Sequence, residues 1–413
     1  MQVYLVGGAV RDRLLGLDVR ERDWVVVGAT AKQLLDQGYQ QVGKGFPVFL
    51  HPNTKEEYAL ARSERKVGKG YLGFETIFDS SITLEQDLLR RDLTINAIAE
   101  SPDGSLIDPY GGQQDLDNRV LKHVSDAFVE DPLRVLRVAR FAARFAPLGF
   151  RVADSTMELM KEISASGELK ELTAERIWKE MDRALAEAGA VVFFEVLREC
   201  GALMEILPEL DALFGVQQSQ QVYSQTDVGI HSLNVLGQAV ELTNDSAARF
   251  AALTQHLGKA MTEPGLWPEH AGHSQNGKLI VDELCERLTA PKHYRQLAAL
   301  VAQTSVQCHQ ADQMNALELL QLLETLDLFR RPDRLELFLA ACTADLQAST
   351  EAVSKDYPQA SVVRRALGAA MLPNAKELVA SGCKGPQVGI ELKIKRIEAI
   401  VLELGREVSS VKN

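Results

Sequence analysis

Leu5-Val6-Gly7-Gly8-Ala9-Val10-Arg11-Asp12 and, shortly after it, Glu21-Arg22-Asp23-Trp24-Val25-Val26-Val27-Gly28 are the stretches whose reading decides the fold. Residues 4–6 read as a short buried strand, and Gly7-Gly8 break it before a helix running to about Leu15. Two glycines, Gly8 nearest the helix, leave room for a phosphate to approach the backbone, and the N–H groups of the helix start attract anions. Arg11 adds a planar fork of fixed positive charge suited to a polyphosphate. Side chains alternate along a strand, so Glu21 and Asp23 share one face while Arg22 and Trp24 take the other. Two adjacent carboxylates repel unless a cation lies between them. Two Mg²⁺ ions about 3.5–4 Å apart would serve, and would clamp an in-line phosphoryl displacement. A solvated acidic turn beside a Gly-Gly loop is the plain alternative.

Outward from this pair, Thr30 and Gln33 form a capping box for a helix that Gly38 stops, and Thr83 with Gln86 repeats the device for a helix over 83–89. Residues 48–51 and 57–62 read as short strands, Pro47 being tolerated at the start of the first; Glu57 on the second is a candidate third carboxylate. Residues 63–80 form a glycine-punctuated loop in which Arg65, Lys66 and Lys69 alternate with Tyr71 and Phe74, a pattern suited to single-stranded RNA. Asp131 is a natural N-cap, with Pro132 at the first position of a helix whose buried stripe is Val135, Val138, Ala139, Ala142 and Phe145. Arg134, Arg137, Arg140 and Arg144 line one flank with no carboxylate between Pro132 and Ala153, a set better suited to planar, bidentate contacts than lysines would be.

The chain has 413 residues, 46% hydrophobic and 25% charged, room for two to four ordinary globular domains. No stretch approaches the ~20 apolar residues of a membrane span, so no membrane partner is expected. The scattered cysteines Cys200, Cys285, Cys308, Cys342 and Cys383 fit reduced thiols in a cytoplasmic protein. A net charge of −12 excludes a uniformly basic RNA-coating surface and leaves local positive stripes to meet an RNA partner.

Taken together, the run 5–28, Arg90-Arg91-Asp92-Leu93-Thr94-Ile95-Asn96-Ala97, Asp108-Pro109-Tyr110-Gly111-Gly112, Glu130-Asp131-Pro132-Leu133-Arg134 and the run 172–180 resemble class II CCA-adding tRNA nucleotidyltransferases and their relatives, the bacterial poly(A) polymerases. The resemblance is motif-specific over 1–180 and weaker over 181–413. The family has Asp-x-Asp where this chain has Glu21-Arg22-Asp23.

The resemblance implies an α+β chain: a nucleotidyltransferase catalytic head with a small mixed sheet over 1–141, then an extended all-α region. That region comprises a helical neck (142–216), a Gln/Ser-rich linker (217–225), a degenerate helical domain of the His-Asp type (227–329) and a tRNA-binding helical tail (330–413). The implied activity is template-independent addition and repair of the tRNA 3′-CCA from CTP and ATP, with Mg²⁺ as cofactor held by Glu21 and Asp23. Gly8, Arg11 and Arg91 would seat the triphosphate, Asp92 and Asn96 would contact the ribose or fix their loop, and Arg137 and Arg140 would approach sugar and phosphates. Asp131 and Arg134 match the family's base readers. An aspartate accepts from the amino group that cytosine and adenine share, an arginine donates to the ring nitrogen beside it, and guanine and uracil present the opposite polarity. The loop 63–80 favours full CCA addition over addition of the two cytidines alone.

Relatives often carry a metal-dependent phosphohydrolase built on a His-Asp pair. Here the pair reads Gln255-His256 while His231, His270 and His273 remain, so the domain is expected to be folded and hydrolytically inert for want of a bridging carboxylate. A poly(A) polymerase and an RNA-binding pseudoenzyme are the rival readings.

Overall fold

The structure, a computed structural model, describes residues 1–19, 21–42, 48–66, 74–349 and 356–406, with backbone only for 64–66 and 74–76. It forms two compact units, Met1–Ile206 and Leu207–Asn413.

In the first unit, β1 (Gln2–Val6) leads to α1 (Gly8–Leu14), β2 (Asp23–Val27), α2 (Ala31–Asp36), β3 (Gln40–Val42), β4 (Val48–Leu50) and β5 (Glu57–Leu60). Then come β6 (Ser63–Lys66), β7 (Phe74–Ile77), α3 (Leu84–Leu89), β8 (Ala99–Glu100), β9 (Leu106–Ile107), α4 (Gly112–Asp117) and β10 (Val120–Leu121). Helix α5 (Leu133–Phe145), β11 (Arg151–Val152), α6 (Asp154–Ser166), α7 (Ala174–Leu185), α8 (Ala190–Glu199) and α9 (Ala202–Ile206) complete it. Seven strands pair in the order β3-β4-β5-β2-β1-β8-β9, a mixed sheet in which β2 and β5 run parallel and the other neighbours antiparallel.

The sheet is buried on both faces, which is why β2 reads as an unbroken apolar run rather than an alternating one. Val25 packs with Val6, Ile82, Leu84 and Leu88, while its neighbour Val26 packs on the other side with Leu34, Phe49 and Tyr58. Both expected capping boxes are formed, Thr30 with Gln33 and Thr83 with Gln86.

Two local expectations shift. The stretch 63–80 is not wholly loop: β6 and β7 form an antiparallel hairpin that satisfies the backbone of its two arms, while Lys69 and Tyr71 lie outside the described residues. Helix α5 starts one residue later than Pro132 would set it, although the Asp131 carboxylate still accepts from the Leu133 N–H at 3.1 Å.

The second unit contains α10 (Pro208–Asp211), α11 (Val228–Leu242), α12 (Ser246–Thr254), α13 (His273–Arg287), α14 (Lys292–His309), α15 (Ala316–Thr325), α16 (Arg334–Ser349), α17 (Pro358–Ala370), α18 (Ala375–Ala380) and α19 (Pro386–Leu404). Among the described residues it holds no strand. The Gln/Ser-rich run lies inside this unit: Gln218 is buried, its backbone N–H donates to Thr226 O and its side chain to Gln225 O, while Gln217, Gln220, Gln221 and Ser224 are exposed. Among the described residues no helix is long and apolar enough to cross a membrane.

Candidate active site

The antiparallel register of β1 and β2 sets Asp23 opposite Val6, beside the Gly7-Gly8 turn, and the parallel register of β2 and β5 sets Asp23 opposite Glu57. Registered neighbours point to the same face of a sheet, so Glu57 shares the face of Asp23. Alternation sends Arg22 and Trp24 the other way, where Glu56 receives both: the Trp24 indole N–H at 3.0 Å and Arg22 Nη1 at 3.6 Å. Asp23 is open to solvent, yet the surrounding protein still desolvates it and raises its pKa; Arg91 pulls the other way and Glu21 adds to the rise. The acidic pair, the glycine turn and Arg91 therefore share one neighbourhood.

Gly7 has φ +69°, and a Cβ there would stand 2.8 Å from Arg91 Nη1, so only glycine lets this guanidinium lie against the turn. Arg91 donates to Asn96 O at 3.2 Å and to Asp87 Oδ2 at 3.3 Å, while its Nε is buried with no partner. A guanidinium held against a glycine turn places fixed positive charge where an anionic oxygen is favoured. Asp87 is fully buried and anchors this corner: its Oδ1 also accepts from the Arg62 N–H and from Arg90.

Arg11 occupies a different place from the open fork that its sequence position suggests. It is 3% exposed, bonded to Asp12 (2.8 Å) and to Asn96 Oδ1 (2.5 Å), and flanked by the rings of Phe141 and Phe145. Burial lowers its pKa from the ordinary arginine value, with Asp12 opposing. Its position ties α1 to the turn at Thr94–Asn96. The Asp108–Gly112 segment supports the same turn: Asp108 caps the Gly112 and Gln113 N–H groups, Thr94 donates to Asp115 at 2.6 Å, and a Cβ on Gly112 would lie 2.3 Å from Thr94 O.

The arginines of α5 are not a solvated stripe. Arg134 donates to Ala127 O (3.0 Å) and Arg90 O (2.6 Å), Arg137 to Asp92 (2.8 Å), Arg140 to Glu180 on α7 (2.5 Å), and Arg144 to Asp12 (2.8 Å). Asp131 lies 3.7 Å from Arg176 Nη2, also on α7. Sequence reading missed Asp12, Asp87, Glu180 and Arg176; the available signal for Glu180 was a carboxylate at helical spacing with Ile177 and Ala184 on the apolar, buried face of α7.

Asp92 fixes its loop: it accepts from Leu93 N–H, Asn96 Nδ2 and Arg137. Burial alone would raise its pKa, but Arg137 and Asn96 hold it well below the usual carboxylate range. Its folded pKa thus lies below its unfolded one. The stability it contributes is complete above about pH 4 and is lost as pH falls through the depressed folded value. We expect Asp92→Asn to be less stable at neutral pH and to lose less further stability on acidification than the parent, measured by denaturant midpoints at stepped pH. Parallel curves would refute the assignment.

A second cluster lies in the other unit. His231 Nε2 and His256 Nε2 are 2.8 and 3.0 Å from Asp345 Oδ1, and His309 Nε2 is 3.0 Å from Asp345 Oδ2. A carboxylate is present after all, supplied by α16; sequence reading missed it, although a lone aspartate in the apolar run of α16 was a signal. His270 and His273 do not join: His270 bonds Thr262 and Gln217 O, and His273 bonds His270 O. Burial alone would raise Asp345, but the imidazoles of His256, His231 and His309 hold it well below the usual range. Burial, with Lys259 adding, pushes His256 down to about 3.

The chain is similar to known proteins over nearly its whole length. Residues 3–122 match the Poly A polymerase head domain, and residues 149–214 match the probable RNA and SrmB-binding site of polymerase A. A multifunctional CCA protein of Hahella chejuensis is 55% identical over 400 residues, 97% of this chain and 95% of that protein. One from Vibrio vulnificus is 52% identical, covering 97% and 98%. Among solved structures, the fold matches a CCA-adding enzyme in an apo form (TM-score 0.67, 20% identity, 98% of this chain and 91% of that one). It also matches the Thermotoga maritima CCA-adding enzyme complexed with tRNA (TM-score 0.65, 18% identity, 99% and 88%).

Proposed function

Because the chain belongs to the family of the multifunctional CCA proteins, we propose that it builds and repairs the 3′-terminal CCA of tRNA from CTP and ATP, releasing pyrophosphate, without a nucleic-acid template. The observation that carries this reading is the place of Asp23, registered beside the Gly7-Gly8 turn and opposite Glu57, in the field of Glu21 and Arg91.

Carboxylate oxygen is the donor chemistry of Mg²⁺, and Glu21 and Asp23 would hold the metal: Asp23 is registered opposite Glu57 and lies in the field of Glu21. Bound there in a two-metal arrangement, Mg²⁺ would supply Lewis-acid activation of the tRNA 3′-hydroxyl and charge neutralisation on the departing pyrophosphate. The residues of the chain do the rest. Gly8, with no side chain, lets the phosphates approach the backbone at the start of α1, and Gly7 admits the Arg91 guanidinium beside it. Arg11 acts from behind by holding Asn96 and the start of α1. Asp92, through Arg137, keeps α5 against the same turn, and Glu180 does so through Arg140.

Asp131 and Arg134 read the base. In the free protein both are held by neighbours, Asp131 by the Leu133 N–H and Arg134 by two carbonyls, which sets their polarity in advance. The tRNA body is gripped by shape and phosphate contacts of the helical part.

The test is incubation of tRNA lacking CCA with each nucleotide in turn. Ordered C, C, A addition that then stops supports the reading; an open-ended A tail, or no addition by the parent enzyme and recovery with Glu21→Asp, overturns it in favour of a poly(A) polymerase or an RNA-binding pseudoenzyme. Removing a base-reading group should relax selection: Asp131→Ala is expected to lower CTP and ATP use about 100-fold relative to GTP and UTP, because buried polar pairing is what rejects the wrong bases. Single-nucleotide incorporation ratios measure this, and unchanged ratios would remove Asp131 from the pocket. Phosphohydrolase activity is proposed to be absent. A 2′,3′-cyclic nucleotide with Ni²⁺ or Mg²⁺ should give no turnover.

A further inference from the structure

Three stretches of the first unit carry groups assigned to the nucleotide: α1 begins at Gly8, Arg91 precedes the turn at Thr94–Asn96, and α5 carries Arg134. Hydrogen bonds join these stretches in a closed ring of side chains. Arg144 Nη2 donates to Asp12 Oδ2 at 2.8 Å, and Arg11 Nε donates to the other oxygen of the same carboxylate at 2.8 Å. Arg11 Nη1 continues the path to Asn96 Oδ1 at 2.5 Å, and Asn96 Nδ2 donates to Asp92 Oδ1 at 2.9 Å. Arg137 Nε then donates to Asp92 Oδ2 at 2.8 Å, which returns the path to α5.

Arg137 and Arg144 stand seven residues apart. Two helical turns, about 10 Å along the axis, separate them and leave both on one face of α5. Phe141 and Phe145 share that face and flank the Arg11 guanidinium, 5.2 and 5.0 Å from it, so the space within the ring is filled. An amide suits position 96, because it presents an acceptor to the Arg11 guanidinium and a donor to the Asp92 carboxylate.

Burial of charge accounts for only part of this ring. Arg11 is buried and needs Asp12, and buried Asp92 needs Arg137. The Arg144 side chain is 29% exposed, so water reaches it and no interior charge requires its bond. What that bond adds is closure: without it the hydrogen-bonded path from the turn through α1 ends at Asp12 and never returns to α5.

We propose that Arg144 is a positioning residue for nucleotide addition: by closing the ring through Asp12 it fixes the base-reading helix relative to the glycine turn that receives the phosphates. This role rests on nucleotide addition as the function of the chain. A nucleotide held at its base and at its phosphates spans the ring, so a looser ring costs alignment of the reacting atoms more than it costs binding at either end.

Single-nucleotide addition to truncated tRNA by the full-length chain separates kcat from KM. Arg144→Gln is expected to lower kcat about 10–100-fold with CTP and with ATP, with KM within about threefold and a melting curve close to that of the parent. Preference for CTP over UTP should fall as well, because the base is read in a looser frame. Arg144→Met provides the same comparison should the glutamine variant fold poorly. Arg144→Lys, which keeps a cation facing Asp12, should recover kcat to within about fivefold of the parent. Combining Asp12→Asn with Arg144→Gln should cost no more than Asp12→Asn alone, since the second change opens a ring already open. A kcat for Arg144→Gln within about twofold of the parent overturns the proposal. So does a loss that follows the melting temperature and leaves the preference for CTP unchanged, or losses that multiply in the double variant. A parent chain that adds no nucleotide overturns the proposed function and this role with it, whereas an active parent with an indifferent Arg144→Gln overturns this role alone.

Discussion

Asp23→Asn is expected to lower kcat/KM for nucleotide addition at least about 10³-fold, roughly 4 kcal/mol of transition-state stabilisation, while leaving the fold as stable as the parent or more so. The two halves of this prediction come from one observation. Asp23 sits where the glycine turn, Glu21, Glu57 and Arg91 meet, and its pKa is raised by desolvation, with Glu21 adding and Arg91 opposing. A carboxylate whose folded pKa exceeds its unfolded value favours the folded state most when protonated, and that favour is lost as pH rises through the raised value. At neutral pH the charged Asp23 is therefore a cost to folding without metal, and asparagine relieves it at nearly constant shape. Single-turnover addition to truncated tRNA and a melting curve, both at neutral pH, measure the two effects. Activity within about tenfold of the parent would remove Asp23 from the chemistry, and a large fall in melting temperature would make it a structural residue instead.

The second large effect is expected from Glu180. Its carboxylate accepts from Arg140 Nε at 2.5 Å, and the two side chains are only 5% and 9% exposed. Deleting one member of a buried pair leaves the other charge without compensation, at a cost of about 3–5 kcal/mol. For a unit of this size that is a substantial share of a total stability on the order of 5–15 kcal/mol. Glu180→Ala should therefore lower the first unfolding transition by roughly 10 °C. Because α7 holds α5 through this pair, addition at a permissive temperature should also fall while tRNA affinity changes little. The double variant Arg140→Met/Glu180→Leu, which removes both charges, should recover most of the stability. A Glu180→Ala chain as stable as the parent would show that the pair carries no net weight.

Much of the head is legible in the amino-acid order alone. The Gly-Gly break and the two capping boxes are local devices, each complete within four residues or so, and they form where the sequence sets them. Alternation along β2 likewise separates Asp23 from Trp24 without knowledge of any partner. The hairpin of β6 and β7 is not legible in this way, because its polar arms lack the apolar alternation that marks a half-buried strand.

The sequence by itself determined the nature of the chemistry: which acidic, basic and glycine residues are present and which of them share a face of one strand or helix. Only the tertiary structure decided what those residues are bonded to. Three of the four arginines of α5 look unpaired because their carboxylates come from far away in the chain, Asp92 from 45 residues, Glu180 from 40 and Asp12 from 132, while Arg134 is held by two backbone carbonyls. The same holds for the second cluster, where Asp345 meets His231 across 114 residues and His256 across 89. Periodicity reports only interactions within a turn or a strand, whereas a buried charge is neutralised by whatever the folded chain brings within about 3 Å of it.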